Sequence, residues 1–485
     1  MRSLAGVVHL LGSVLVLFAA LFLLPIAAAL YYHEYALTAF AASGAACLVA
    51  GLAIRGTTLR FRTDLKPRDA YLLVTLTWLV LAAVGTAPLL ALMPRLSFTR
   101  AFFETMSGLT TTGATVLSGL DALPRAVILW RAALSWLGGM GIIVMAVAIL
   151  PLLGIGGMDM YRAETPGPVK DAKLTPRIAQ TAQLLWFVYA VLTGLCAVSL
   201  RAAGMHWFDA LCHAFSALSL GAFSTHDASI GYFNSPLIEA VLVVFMLLGA
   251  MNFATHFVAL RKGEPATYRR DPEAKWPLVW IGVSCIGVSL HVWLNGVYPG
   301  FATAFRYVTF NLVSIATSCG RTSTDSGHGP IFAPMWMLFL SCLCASSGSP
   351  GGGIKVFRVL VLVKQSVREM FALVHPQAVA PLKIAGHLVS NRVVFSVLAF
   401  IFLYFITIVV LTFALLMSGL DFLSAVSAII ASINNAGPGL GLVGPGINYG
   451  ALNDFQLWMC TAAMMLGRVE IFTVLILFTP TFWRK

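Results

Sequence analysis

Long apolar runs alternate along this chain with shorter amphipathic stretches, and the alternation has a repeat. A membrane-crossing helix needs about 20 mostly apolar residues. The first two runs, one ending near Ala27-Ala-Ala29 and one from Ala36 to Ile54, predict a helical hairpin over residues 1–56. The first is long for the apolar part of a cleaved leader, so the hairpin is expected to be retained. A three-part pattern of span, short amphipathic helix and span then follows four times. Its members are Tyr71–Leu92, Phe98–Leu109 and Ala126–Leu153; Ala182–Leu200, Phe208–Leu218 and Leu237–Leu260; Trp276–Leu294, Phe301–Ala316 and Ile331–Val363; and Arg392–Met417, Phe422–Ile433 and Phe455–Phe478. The middle stretches are too short to cross a bilayer. They predict re-entrant helices that stop part-way, with non-helical backbone tolerated where it lines a cavity. The expected fold is an all-α polytopic membrane protein of about ten transmembrane helices plus four re-entrant pore helices. Its repeats cover 57–160, 161–265, 266–375 and 376–485.

Each short stretch runs into a glycine turn: Leu109-Thr-Thr-Thr-Gly-Ala114, Leu218-Ser-Leu-Gly-Ala222, Thr317-Ser-Cys-Gly-Arg321 and Asn434-Asn-Ala-Gly-Pro438. A cation stripped of water needs replacement oxygens, and backbone carbonyls aimed at a common axis supply them. A strand with successive carbonyls on one side strains ordinary residues, and glycine relieves the strain by accepting positive φ. The candidate filter residues are therefore Thr110, Thr111, Thr112 and Gly113; Ser219, Leu220 and Gly221; Ser318, Cys319 and Gly320; and Asn434, Asn435, Ala436 and Gly437. None is acidic, whereas magnesium holds its water and favours carboxylates. The expected substrate is K+, bound at these residues only, with imperfect exclusion of sodium because each strand has a single glycine. A glycine also interrupts the span after each turn, at Gly138, Gly249, Gly348 and Gly467. It either lets helices pack closely or serves a geometry common to the four units.

Composition removes the soluble alternatives. The chain is 59% hydrophobic and 10% charged, with mean hydropathy +0.88. The net charge of +12 falls in alternate loops. The basic groups are Arg55, Arg60, Arg62, Lys66 and Arg68; Arg162, Lys170, Lys173 and Arg177; Arg261, Lys262, Arg269, Arg270 and Lys275; Lys355, Arg358, Lys364, Arg368, Lys383 and Arg392; and Arg484 with Lys485. The positive-inside rule puts these loops and both termini in the cytoplasm and the glycine turns outside. Topology thus accounts for the charge, and no nucleic-acid partner is expected. The eight cysteines lack zinc or redox spacing and read as small buried residues.

Two features lie below the turns. Ser346, Ser347, Gly348, Ser349, Pro350, Gly351, Gly352 and Gly353 break the last span of the third unit, because proline donates no backbone bond and glycine weakens a helix. The segment is either a gate across the ion path or a static kink. Arg468 lies inside the last span of the fourth unit, where an arginine costs roughly 2.5–3.5 kcal/mol and faces a partner. The loop carbonyls and Glu470 are the candidate partners. Arg321, beside the third turn, is expected to point behind it toward an acid such as Asp325. Asp121, Asp227 and Asp325 either concentrate cations at the mouth or are solvated loop acids.

The segments Ser135-Trp-Leu-Gly-Gly-Met-Gly141, Tyr161-Arg-Ala-Glu-Thr-Pro-Gly-Pro168, Lys173-Leu-Thr-Pro-Arg177, Thr110-Thr-Thr-Gly113, Asn434-Asn-Ala-Gly-Pro-Gly-Leu-Gly441 and Gly467-Arg-Val-Glu-Ile-Phe472 resemble the membrane subunits of Trk/Ktr-type potassium transporters. Essentially the whole chain is covered, and the bacterial Trk-type (TrkH-like) members carry the same extra hairpin. The resemblance implies a homodimer in the bacterial inner membrane, with one pore per protomer and pseudo-fourfold symmetry. It implies a cytosolic nucleotide-binding (TrkA-like) regulatory subunit that holds ATP or NAD, which this chain does not. It assigns the gating loop to Ser346–Gly353 and a pore-facing charge to Arg468. Two other readings stay open. A proton- or sodium-coupled symporter would use a titratable group such as Glu470, Glu104 or Asp209. An intramembrane metalloenzyme would use His206, Asp209 and His213, which the sequence otherwise reads as facing solvent near a helix end.

Overall fold

The computed structural model describes residues 2–61, 67–152, 178–324, 329–378, 380–384 and 386–484. The motifs Tyr161–Pro168 and Lys173–Arg177, the basic residues Arg62, Lys66 and Lys170, and Asp325 lie outside the described residues.

Helices α1 (Arg2–Ala19), α2 (Leu23–Tyr31) and α3 (Leu37–Thr57) form the N-terminal hairpin. Small residues let its arms touch: a Cβ on Gly12 would lie 3.0 Å from the Gly51 carbonyl, and one on Gly51 3.0 Å from that of Gly12. There follow α4 (Pro67–Gly85), α5 (Ala87–Leu92), α6 (Phe98–Leu109) and α7 (Arg125–Leu152). Trp130 of α7 anchors the hairpin, with the rings of Phe18, Phe22 and Phe40 at 5.9, 4.4 and 5.8 Å. Its indole N–H donates to the Gly85 carbonyl at 3.2 Å. Glu34, between the hairpin arms, accepts the first two amides of α7 from Arg125 and Ala126 at 2.7 and 3.0 Å, a carboxylate at a helix N-terminus.

The second stretch is α8 (Ile178–Ala202), α9 (Trp207–Ser219), α10 (Pro236–Ala250) and α11 (Phe253–Lys262). The third is α12 (Ala266–Arg270), α13 (Pro272–Leu294), α14 (Phe301–Ala316), α15 (Phe332–Ser341) and α16 (Val356–Val374). A two-residue antiparallel hairpin, β1 (Lys383–Ile384) with β2 (His387–Leu388), leads into α17 (Asn391–Met417), α18 (Phe422–Ile433), α19 (Asp454–Val469), α20 (Ile471–Leu475) and α21 (Pro480–Trp483).

Among the described residues, six helical stretches are long and apolar enough to cross a membrane, or up to eight if two bent pairs each count as one. Those pairs correct the sequence reading, which took Leu237–Leu260 and Phe455–Phe478 as continuous spans. The first bends by 98° and the second by 111°. At the first bend Asn252 leaves the helix and its side chain accepts the Ala254 amide, starting α11 afresh. At the second, Glu470 takes a φ of 70°, which no α-helix accommodates. The break in the third unit is also wider than the glycine-rich segment, running from the end of α15 at Ser341 to the start of α16 at Val356.

Burial runs opposite to that of a water-soluble protein. Val283, Ile286, Phe402 and Phe413 turn outward, each at least 60% exposed. Glu104, Ser107, His213, Asn311, Ser314 and Ser427 are enclosed. These six sit on α6, α9, α14 and α18, the four short helices predicted as re-entrant. Three of those helices match the expected bounds, and the second is one residue longer at each end.

Candidate functional site

The four short helices end in the same way. Each is closed by a residue in the left-handed conformation: Thr111 (φ 59°), Leu220 (φ 57°), Ser318 (φ 64°) and Asn435 (φ 51°). The amide of that residue bonds three residues back, to Gly108, Ala217, Ile315 and Ser432. The next amide bonds five back: Thr112 to Ser107 at 2.9 Å, and Gly221 to Ser216, Cys319 to Ser314 and Ala436 to Ala431 at 2.8 Å each. This pair of bonds is the Schellman closure of a helix C-terminus. Glycine or asparagine usually holds the left-handed place, so threonine, leucine and serine there store backbone strain of order 1–3 kcal/mol each.

The closure fixes a register that differs from the one expected. In the first, third and fourth turns the residue two beyond the cap is glycine with positive φ: Gly113 (74°), Gly320 (74°) and Gly437 (87°). In the second turn that place belongs to Ala222. Gly221 aligns with Thr112, Cys319 and Ala436, and it is absent from the positive-φ glycines of the described residues. The segment expected as Ser219, Leu220 and Gly221 is thus one residue early, with Ser219 still inside α9. Leu220, Gly221 and Ala222 are the residues that correspond to Thr111, Thr112 and Gly113.

The four turns meet. A Cβ on Gly113 would overlap the Ala222 amide, and one on Gly320 would overlap the Ala436 carbonyl. One on Gly437 would lie 2.7 Å from the Thr112 carbonyl and 2.8 Å from the Ala222 methyl. The Cys319 thiol faces the Gly221 carbonyl at 3.6 Å, and the Asn435 amide donates to Thr112 Oγ1 at 2.9 Å. First touches second, second touches third, third touches fourth, and fourth touches first. The matching span glycines seat the helix ends: a Cβ on Gly138 would overlap the Leu109 carbonyl and one on Gly467 that of Ile433. Gly249 stands off slightly, its Cβ position 3.3 Å from the Leu218 carbonyl. Gly348 does not share this role, because it packs on Asn252 instead.

The glycine-rich segment lies against the inner ends of those helices. A Cβ on Gly351 would be 3.3 Å from the Thr317 carbonyl and 3.3 Å from the Leu220 side chain, and one on Gly352 would overlap the Asn434 carbonyl. The segment is tied to its surroundings throughout. Ser346 N donates to the Ala250 carbonyl at 3.1 Å, and the Gly348 carbonyl accepts from Phe253 N at 3.3 Å. Ser347 N donates to Glu273 at 2.6 Å, and the Ser349 carbonyl accepts from Lys355 at 3.2 Å. Arg468 donates to the carbonyls of Pro350, Gly138 and Gly139, so it joins the segment to α7. Glu470 is held by Arg358, whose Nη2 reaches both carboxylate oxygens at 3.0 Å.

Other residues of interest are placed as follows. Arg321 is fully buried and points behind its turn, donating to the His213 carbonyl at 3.0 Å. Asp227 accepts the Leu120 amide at 2.8 Å, and Asp121 pairs with His226. His213 corrects the sequence reading, because it is fully enclosed and not facing solvent. Its Nδ1 donates to the Asp209 carbonyl at 2.8 Å, so Nε2 accepts from Ser224 Oγ at 3.1 Å, and neither nitrogen is left for a metal. Among the described residues no group of three His, Cys, Asp or Glu is placed to hold a metal ion.

Helices long and apolar enough to cross a membrane, with four capped helix ends gathered in the interior, define a polytopic helical membrane protein. The family model described as "TrkH: Cation transport protein" matches residues 36–485, and the chain belongs to that TrkH family. It is 46% identical over 484 residues to the Trk system potassium uptake protein TrkH of Vibrio parahaemolyticus, covering 99% of each chain. It is 42% identical over 484 residues, again 99% of each chain, to the protein of that name from Escherichia coli K12. The crystal structure of the potassium transporter TrkH from Vibrio parahaemolyticus superposes with a TM-score of 0.89 at 43% identity, covering 99% of this chain and all of that one.

Proposed function

We propose that this chain is the pore-forming subunit of a bacterial inner-membrane potassium uptake system, with K+ passing through the ring where the four turns meet. The observation that carries the reading is the closed circuit of contacts among four identically capped helix ends. The contacts that close it are made by backbone and by the side chains of Thr112, Ala222, Cys319 and Asn435, which suits a carbonyl filter. The filter is Thr110–Gly113, Leu220–Ala222, Ser318–Gly320 and Asn434–Gly437. The four span–helix–span units over 57–160, 161–265, 266–375 and 376–485 stand around it in pseudo-fourfold fashion, with the hairpin of residues 1–56 outside. Counting each bent or broken pair as one span, and α7 as another, gives about ten spans, with both termini cytoplasmic by the basic loops.

Ser346–Gly353 is the gate in this reading, and Arg468 is its charge. Both are supported by their position under the helix ends and by the carbonyl contacts of the guanidinium. The partners are a second copy of the chain and a cytosolic nucleotide-binding subunit, TrkA-like and carrying ATP or NAD, which acts on the loop. Support for these partners is the relatedness to Trk system proteins. Passive conduction is favoured over coupling because the acids considered as proton carriers have partners, Asp209 among them facing His226 Nε2 at 3.7 Å. Glu104 is ion-paired with Arg131, and Glu470 with Arg358.

The test is rubidium tracer uptake by the full chain in liposomes. An imposed potential of about 100 mV is worth about 2.3 kcal/mol per charge, so uptake should approach roughly fiftyfold accumulation. An inward proton gradient at zero potential should drive none. Uptake that needs the proton gradient would put the coupled symporter in place of the channel.

A further inference from the structure

One position on the pore helices recurs behind the filter. Glu104, His213 and Asn311 stand the same number of residues before Gly113, Ala222 and Gly320, and each reaches up to hold the strand that leaves the filter. Glu104 accepts the Val116 amide at 2.9 Å, and Thr115 Oγ1 donates to its two oxygens at 2.9 and 3.0 Å. His213 holds Ser224, the counterpart of Thr115. Asn311 accepts the Ser323 amide, the counterpart of that of Val116, at 3.0 Å, and its own amide donates to Thr324. In the fourth unit Ser427, one position earlier, accepts the Leu440 amide at 2.8 Å.

The first clamp is the strongest built. Arg131 Nε donates to Glu104 at 2.8 Å, with both side chains at most 2% exposed. The same guanidinium donates to Thr115 at 3.1 Å and to the Ser224 carbonyl at 3.4 Å, and its carbon stands 4.1 Å over the Phe223 ring. It therefore joins the strands leaving the first and second filters. A buried ion pair is a poor source of stability compared with apolar packing. What it provides here is a stiff connection between a helix and two strands.

We infer that Glu104, His213, Asn311 and Ser427 are positioning residues for ion selectivity. They hold the outgoing strands at fixed distance from the pore helices, so the filter carbonyls cannot close around a smaller cation. The Glu104–Arg131 pair is the stiffest of the four clamps. This rests on the filter reading above.

The test uses the full chain in liposomes and reads the ratio of sodium to rubidium tracer uptake. Asn311→Leu and Glu104→Gln should each raise the ratio roughly three- to tenfold, the scale of one buried hydrogen bond. Asn311→Asp keeps an acceptor for the Ser323 amide and should restore most of the selectivity. An unchanged ratio in both Asn311→Leu and Glu104→Gln would overturn the inference. Should those two variants fail to accumulate, Thr115→Val decides, since it removes only the hydroxyl link, and a wild-type ratio there overturns the inference equally. A wild-type protein with no preference for rubidium would fail earlier, and would remove the filter reading itself.

Discussion

Alanine at Gly113, Gly320 or Gly437 is expected to abolish selective rubidium uptake, while alanine at Gly221 should leave it within about threefold of wild type. The difference comes from two independent costs. The first three glycines have φ between 74° and 87°, a region where a side chain costs of order 1–3 kcal/mol. A Cβ there would also meet backbone: the Ala222 amide, the Ala436 carbonyl or the Thr112 carbonyl. Backbone in a closed ring of four turns cannot retreat without moving the next turn. Gly221 has neither problem. Its φ is outside the positive range, and its added Cβ would lie 3.2 Å from the Ser135 hydroxyl oxygen and 3.3 Å from the Ser135 Cβ. Rotation about the Cα–Cβ bond carries the hydroxyl away, and a shift of a few tenths of an ångström relieves the Cβ contact. Four single variants, each assayed for abundance, rubidium uptake and sodium uptake, separate the two registers. Loss of selectivity in Gly221→Ala to the same degree as in Gly113→Ala would return the second filter to the glycine.

That misregister shows where the sequence was readable and where it was not. Hydrophobic length alone located the four short helices, because a stretch too short to span a bilayer and flanked by stretches that do span it has few other uses. The filter was then anchored on glycine, since positive φ is the property glycine advertises. The register common to the four turns is set by the helix cap, and the cap carries Thr111, Leu220, Ser318 and Asn435, a set with no common side-chain property. A better signal was present in Ser107, Ser216 and Ser314, whose carbonyls accept the cap bond. Aligning the units on those serines places Ala222, not Gly221, opposite Gly113 and Gly320. The clamps were invisible for a related reason. Glu104 was singled out only as an acid that could titrate, and its partner Arg131 comes from a different helix. The bends at Asn252 and Glu470 escaped notice because the flanking residues keep the apolar composition of an unbroken span.

Replacing Arg468 by methionine is expected to raise rubidium uptake by the chain alone about tenfold or more, the scale of losing one or more charge-assisted hydrogen bonds. Arg468 is the side chain that bridges Pro350 of the loop to Gly138 and Gly139 of α7. In the proposed reading it opposes conduction in two ways, by tethering the loop beneath the filter and by placing a positive charge beside the ion path. Lysine separates them. It keeps the charge but loses the planar fork that reaches several carbonyls at once. If Arg468→Lys conducts like Arg468→Met, the tether dominates, and if it stays near wild type, the charge does. Selectivity should be untouched in both variants, because the carbonyls that Arg468 holds, those of Pro350, Gly138 and Gly139, lie outside the proposed filter segments. A methionine variant no faster than wild type would remove Arg468 from the gate. The backbone next to it favours movement. Glu470 and Lys355 start the helices beyond the two breaks at φ of 70° and 72°, strained values, each of which a straightening of its own break would relieve. Arg358 holds Glu470 in that state through both carboxylate oxygens. Arg358→Met should consequently add to the effect of Arg468→Met if the two tethers act separately. It should add nothing if freeing the loop is enough to let the hinge relax.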